Sequence, residues 1–277
     1  MERGYTYTLN IKGHLMDLGV PKVMGILNVT PDSFFAESRT YQEESIRLRV
    51  RQMIEEGVDI IDIGGFSTRP THNEVSEEEE LERVELGCKI VREIAPEIPL
   101  SIDTFRSSVA KEAINRWEVD IINDVTGGED PDMFKLIAQQ KVIYVLTHNR
   151  IENPGYRDVT AEVITELSKK INELHRLGVT DVIVDPGFGF AKTLEENFRL
   201  FDSIDEIAKM DLPVLIGISR KSMIYKTLDC SPADSLAGTI ALDAMALEKG
   251  ANILRVHDVK PAVETIMLYK KLKESSL

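Results

Sequence analysis

The stretch DVIVDPGFGFAK, Asp181–Lys192, is the key to how this chain folds. Val182, Ile183 and Val184 are consecutive β-branched apolar residues with no alternation, the composition of a parallel strand covered on both faces. The run stops at Asp185 because Pro186 has no N–H to give a sheet ladder. Gly187 and Gly189 let the backbone turn sharply or lie against a ligand. Thr193, with Glu196 three residues on, has capping-box spacing and predicts the start of a helix. A carboxylate that ends a buried strand in an α/β protein commonly faces a ligand. Since Thr193 already supplies the cap, Asp185 is expected to face a site.

The same unit repeats along the chain. Short apolar runs occur at Val23–Leu27, Ile60–Ile63, Leu100–Ile102, Ile121–Ile122, Val142–Leu146, Val182–Val184, Val214–Ile218 and Ile253–Val256. Between them lie segments of helical period, such as Ile46, Val50, Met53, Ile54 and Val163, Ile164, Leu167, Ile171, Leu174. Ser76 with Glu79, Asp130 before Pro131 and Ser231 before Pro232 read as helix starts; Gly57, Gly178 and Gly250 read as stops. Before the first run, Tyr5, Tyr7, Leu9 and Ile11 alternate with polar residues up to Lys12-Gly13-His14, a small β-hairpin. Eight strands alternating with eight helices predict a closed (β/α)8 barrel, an α/β TIM barrel. No linker divides it, so residues 1–277 are expected to form a single domain: the hairpin, 1–20, closing the bottom, and the barrel, 21–277.

Composition narrows the function. With 33 basic against 47 acidic residues the net charge is −14, which argues against binding nucleic acid or an anionic membrane. The two cysteines, Cys88 and Cys230, sit in unrelated contexts, so a reducing compartment is expected and no disulfide framework. The N-terminus has no apolar signal core and no run approaches membrane-spanning length, which predicts a cytoplasmic protein.

Chemistry in such barrels sits at the C-terminal ends of the strands. The runs end in Asn28, Asp103, Asn123, His148, Asp185 and Lys221, then Arg255 with His257; Thr68-Arg69 lie in the loop after Asp62. Each alone could be a turn former. Together they place amides and carboxylates at one mouth, with cations after the last strands, where barrels often hold phosphate. Of the histidines, His14, His72 and His175 read as surface residues and His257 as functional; metal-protease and phosphate-loop motifs are absent.

Taken together, MGILNVTPDSF (24–34), IIDIGGFSTRP (60–70), SIDT (101–104), INDVTGG (122–128), DPGFGFAK (185–192), GISRKS (217–222) and RVHDV (255–259) resemble the dihydropteroate synthases, colinearly and over nearly the whole chain. The first and sixth strings are the more specific. The resemblance implies a transferase of folate biosynthesis that condenses 6-hydroxymethyl-7,8-dihydropterin diphosphate with p-aminobenzoate, releasing diphosphate. It implies that Asp185 accepts the pterin's paired amino and ring N–H donors, bidentate recognition of the kind a carboxylate suits. Asp103, Asn123, Lys221, Gly189 and Phe190 would complete the ring site. Asn28, Thr68, Arg69, Arg255 and His257 would hold the diphosphate, Asn28 also ligating Mg²⁺, a cation content with one protein oxygen beside water and phosphate. Phe34, Thr68, Pro70, Lys221 and Ser222 would form the p-aminobenzoate pocket, with Arg69 near its carboxylate. Asp103, Asp185, Lys221, Arg255 and His257 would be the catalytic set. The family is typically dimeric and is the target of sulfonamides, which mimic p-aminobenzoate.

The chain departs from the family's usual strings at Phe35-Ala36-Glu37 after DSF, at Phe66, at Thr71-His72 and at Thr147, which stands where a Met normally precedes the strand-5 His. The loops Thr30–Thr40 and Phe66–Ser76 are long and polar, without helical or strand period, and are expected to order only on substrate. Three other readings share some of these residues: a pterin-binding methyltransferase domain, a Schiff-base aldolase using Lys221, and a catalytically silent pterin-binding paralogue.

Overall fold

The structure is a computed structural model that describes residues 6–29, 36–66, 75–150, 152 and 155–275. Strands β1 (Thr8–Ile11) and β2 (His14–Asp17) pair antiparallel through Lys12 and Gly13, at φ of 50° and 85°. Two successive left-handed residues give the tight turn whose twist matches its flanking strands. Eight parallel strands follow: β3 (Lys22–Asn28), β4 (Ile60–Gly64), β5 (Leu100–Asp103), β6 (Ile121–Asp124), β7 (Ile143–Thr147), β8 (Val182–Asp185), β9 (Leu215–Ile216) and β10 (Ile253–Val256). They are ordered β8-β7-β6-β5-β4-β3-β10-β9. The ring is completed by a parallel bridge between Val184 and Val214 and by the Val184 N–H donating to Pro213 O at 2.9 Å.

Ten described α-helices cover the outside: α1 (Ala36–Glu55), α2 (Glu77–Ile94), α3 (Ser107–Trp117), α4 (Met133–Gln140), α5 (Val159–Arg176), α6 (Leu194–Asp202), α7 (Ile204–Ile207), α8 (Ser222–Tyr225), α9 (Leu236–Glu248) and α10 (Val259–Glu274). They fill the eight expected positions, with two helices after β8 and two after β9. Thr193 and Glu196 form the expected reciprocal capping box, and Ser76 accepts from the Glu79 N–H. Two expected starts are corrected. The Ser231 hydroxyl bonds Asp234 and ties a turn, with α9 beginning only at Leu236; Asp130 accepts from the Ser107 and Asp132 N–H groups, and α4 begins at Met133. The segment Ala36–Thr40, expected to lie in a loop, belongs to α1.

The apolar residues divide into two cores. A large one packs the outer sheet face against the helices. Gly25 permits the close approach there, because a Cβ would stand 2.6 Å from Met53 Cε of α1 and 3.0 Å from Val259 Cγ2 of α10. The smaller core fills the barrel's lower interior with Met24, Ile60, Ile121, Ile143, Ile183, Leu215 and Ile253, mostly the first residues of their strands. Leu9 and Leu18 of the hairpin segment complete it from below. Apolar residues thus seal the N-terminal end, and the polar strand ends are left at the other mouth.

Candidate active site

Neighbouring strands put the polar residues side by side. Gly64 is in register with both Asn28 and Asp103, Asp103 with Asn123, and Thr147 with Asp185. From β10, Arg255 reaches across: its Nε donates to Asp62 Oδ2 at 2.7 Å and one terminal nitrogen to Asp103 Oδ2 at 2.5 Å. Asp62 is fully buried and also accepts from Ser101 Oγ at 2.6 Å and Asn123 Nδ2 at 3.1 Å. The Asn123 amide is therefore oriented, and its carbonyl oxygen is left buried without a partner, an acceptor available to a ligand. Burial pushes Asp103 up to about 7 against the pull of Arg255.

Asp185 closes the set from β8. Its Oδ1 accepts from the Gly187 N–H at 2.8 Å, and burial raises its pKa against the pull of Lys221. A Cβ on Gly217 would lie 3.9 Å from both Asp185 Oδ2 and Arg255 Cβ, so only a bare backbone separates the two residues. Lys221, the residue before α8, sends its Nζ to Phe188 O at 2.5 Å and 4.7 Å from the Phe190 ring centroid. Burial lowers this lysine to about 8, with Asp185 opposing and Arg255 assisting. Gly189 lies at the same point, its missing Cβ 3.3 Å from Lys221 Cδ. Ser222 opens α8 directly after Lys221.

A second group lies beside this one. Asn28, Ser45, Arg49, His257 and Asp258 line an open cleft of about 400 Å³. The His257 ring meets Ser219 Oγ at 3.0 Å, and Arg49 donates to the His257 carbonyl. Partial enclosure, then Arg255, lowers the His257 pKa and favours the neutral ring.

Asp103, Asn123, Asp185, Lys221, Gly189, Phe190 and Arg255 are brought together, with Asn28 and His257 on one flank. Phe34, Thr68, Arg69 and Pro70 lie outside the described residues. Arg220 faces elsewhere: it is bidentate to Asp258 at 2.8 and 2.9 Å and donates to the carbonyls of Pro232 and Ala233. His148 is buried between Glu166 and Lys192. Asp62 and Lys192 enter the network although neither ended an apolar run. The carboxylate of Asp62 inside IIDIG was itself a signal, since a charge within an otherwise apolar buried strand must find a partner.

Residues 24–257 match the family described as pterin binding enzyme. The dihydropteroate synthase of Bacillus subtilis is 40% identical over 86% of this chain and 84% of that one. A Xanthomonas albilineans dihydropteroate synthase solved with 4-aminobenzoic acid superimposes with a TM-score of 0.90 at 34% identity, over 97% of this chain and 99% of that chain. The same enzyme solved with 7,8-dihydropteroate gives 0.87 at 33% identity, over 96% and 99%. The chain belongs to the dihydropteroate synthases, within the pterin-binding enzyme family.

Of the departures from dihydropteroate synthase strings, Phe66 and Thr147 have described surroundings, while Phe35, Thr71 and His72 lie outside the described residues. Phe66 packs edge-on to Phe105 with centroids 5.4 Å apart, and Arg106 lies 4.7 Å from the Phe105 centroid. Arg106 also pairs with the buried Glu80, which accepts from Thr104 Oγ1 at 2.6 Å. Thr147 is buried beside Asp185, and its hydroxyl has no partner.

Proposed function

We propose the following division of labour for the dihydropteroate synthase reaction, in one domain spanning residues 1–277. Asp185 accepts the two adjacent donors of the pterin edge, Asp103 and Asn123 meet the remaining ring nitrogens, and Lys221 donates to the ring carbonyl and a ring nitrogen. Gly189 and Phe190 border the ring. The buried and unpartnered Asn123 carbonyl, beside carboxylates already oriented by Arg255, is the observation that carries this reading. Such a site is complementary to a flat, donor-rich heterocycle.

Asn28, Thr68, Arg69, Arg255 and His257 hold the diphosphate; Phe34, Thr68, Pro70, Lys221 and Ser222 surround p-aminobenzoate. Among the described residues no group of three or more His, Cys, Asp or Glu could hold a metal ion. The donor chemistry still fits Mg²⁺: Asn28 is exposed at the strand end and offers one hard carbonyl oxygen, sufficient for an ion that keeps water and diphosphate oxygens. Mg²⁺ there would neutralise the leaving diphosphate.

The C–O bond between the pterin methylene and the diphosphate breaks as electron density from the dihydropterin ring stabilises the methylene cation. The arylamine nitrogen then bonds to that carbon and loses its proton. No protein nucleophile is needed. The residues hold the ring, stabilise the departing anion and keep the amine in line.

A diphosphate-release assay with both substrates and Mg²⁺ tests this. Release is expected to require p-aminobenzoate and to stop in excess chelator, while bare pterin still binds. A methyltransferase domain would bind pterin and release no diphosphate, and a silent paralogue would do the same. An aldolase would be trapped at Lys221 by borohydride with a carbonyl substrate; burial, with Arg255 assisting, does lower that lysine's pKa, while Arg220 is committed to Asp258.

Among the described residues no helix is long and apolar enough to cross a membrane. The acidic surface and the absence of a disulfide between Cys88 and Cys230 support a cytoplasmic enzyme without nucleic-acid partners. We also propose a homodimer, supported by exposed apolar side chains on the adjacent helices α9 and α10.

A further inference from the structure

Lys192 ends the glycine loop and folds its side chain back onto it. Its Nζ lies 2.8 Å from Gly187 O, 3.2 Å from Phe190 O and 3.1 Å from His148 Nδ1. Burial lowers Lys192 to about 7 against the pull of Asp185, and in its protonated form the ammonium carries three protons for the three acceptors here. The third acceptor is itself set by its surroundings. His148 Nε2 lies 2.9 Å from Glu166 Oε2, and bonds from Arg150 hold the Glu166 pKa below its ordinary value. An ionised carboxylate can only accept, so Nε2 carries the His148 proton. Burial lowers His148 to about 4, which keeps the ring neutral and leaves the Nδ1 lone pair for Lys192.

The loop needs such a hold. Within five residues it takes φ of 73° at Gly187, 83° at Gly189 and 44° at Ala191, and the last is not a glycine. At Gly187 no side chain is possible, because a Cβ would stand 1.8 Å from His148 O. Left-handed backbone outside glycine persists only where its surroundings enforce it. The Phe188 carbonyl is taken by Lys221, which is drawn towards substrate on the reading above; every proton of Lys192 is already committed within the protein. The Gly187 N–H, from the residue whose carbonyl Lys192 holds, fixes the rotation of Asp185.

We infer that Lys192 is a positioning residue for the pterin site. Its ammonium, aimed by the neutral ring of His148, holds the 187–190 backbone so that Asp185 and Phe190 meet the pterin at the right angle, without touching the pterin itself. The inference rests on Asp185 as the pterin acceptor.

Four variants test it: Lys192→Met, His148→Asn, His148→Gln and Asp185→Asn, each titrated calorimetrically with 6-hydroxymethylpterin and assayed at steady state. A loop that presents the ring equally in ground and transition states changes KM and spares kcat. For Lys192→Met we expect pterin Kd and KM to rise about tenfold, with kcat within about threefold of wild type. Asparagine keeps an acceptor where Nδ1 stands and should bind pterin nearly as wild type does. Glutamine places its amide where Nε2 stands, and should behave as Lys192→Met does. Wild-type pterin affinity in Lys192→Met with a lowered Tm would show a purely structural lysine and overturn the inference. Equal effects of the two His148 variants would overturn it as well, and that pair decides the matter if Lys192→Met does not fold. If Asp185→Asn binds pterin normally, the underlying assignment fails instead, and that outcome is read separately.

Discussion

Arg255 balances two carboxylates with one guanidinium, and removing it exposes what that balance is worth. Asp103 already sits at about 7, above its ordinary 3.8, because of burial. A carboxyl whose pKa is raised by folding lends stability that is full below the unfolded value and lost as pH rises through the folded one. That loss therefore runs from about pH 4 to above pH 7 in the empty enzyme. Arg255→Ala removes the cation that opposes it and leaves Asp62 and Asp103 unpaired, a change that costs about 3–5 kcal/mol for a buried pair. Urea unfolding should show a larger deficit at pH 8 than at pH 6; an equal or smaller deficit at pH 8 would contradict the assignment. Asp103, Asn123, Asp185 and Lys221 were legible in sequence because each interrupts or ends an apolar run, where a polar residue stands out. Lys192 was not, because its role depends on carbonyls of its own loop and on a histidine from the neighbouring strand end. Sequence spacing carries no trace of such a convergence. Nor did it show that Arg220 turns to Asp258, while Arg255, two residues before His257, spans the barrel mouth.

Among the elements, the hairpin shows most clearly how the barrel's ends differ. Leu9 is 1% exposed and packs with residues that open the strands, at the end away from Asp185. Leu9→Ala should destabilise the fold by about 3 kcal/mol, the usual cost of such a cavity, and leave both KM values and kcat unchanged. Thermal denaturation and steady-state assays check the pair; a raised KM would mean that the bottom plug communicates with the mouth. All eight barrel strands could be read from apolar runs, since a strand buried on both faces admits little else. The short α7 and α8 could not, because four residues hold barely one turn of periodicity. The starts of α4 and α9 were misplaced for a physical reason: an Asp or Ser before Pro initiates a turn as readily as a helix. In both places the turn came first and the helix began a few residues later.

At the scale of the whole molecule, 47 acidic residues stand against 33 basic ones, yet Arg255 and Lys221 are neighbours at one mouth of the barrel, where an anionic substrate would meet them. Large apolar side chains stand exposed at several places, Leu15 and Leu48 among them, and four of them lie on α9 and α10, where Met245, Met267, Leu268 and Leu272 are 54%, 64%, 74% and 59% exposed. Three of these share α10, and a patch of exposed apolar side chains commonly marks an interface. Leu268→Glu should convert the proposed dimer to a monomer in light scattering, and an unchanged mass would place the interface elsewhere. The barrel's own seam has a consequence as well. Between β8 and β9 the ladder shrinks to the single bridge at Val184 and Val214, and Asp185 and Lys221 stand on opposite sides of it. A pterin gripped by both residues would lie across that seam and add a second tie where the barrel itself supplies the fewest.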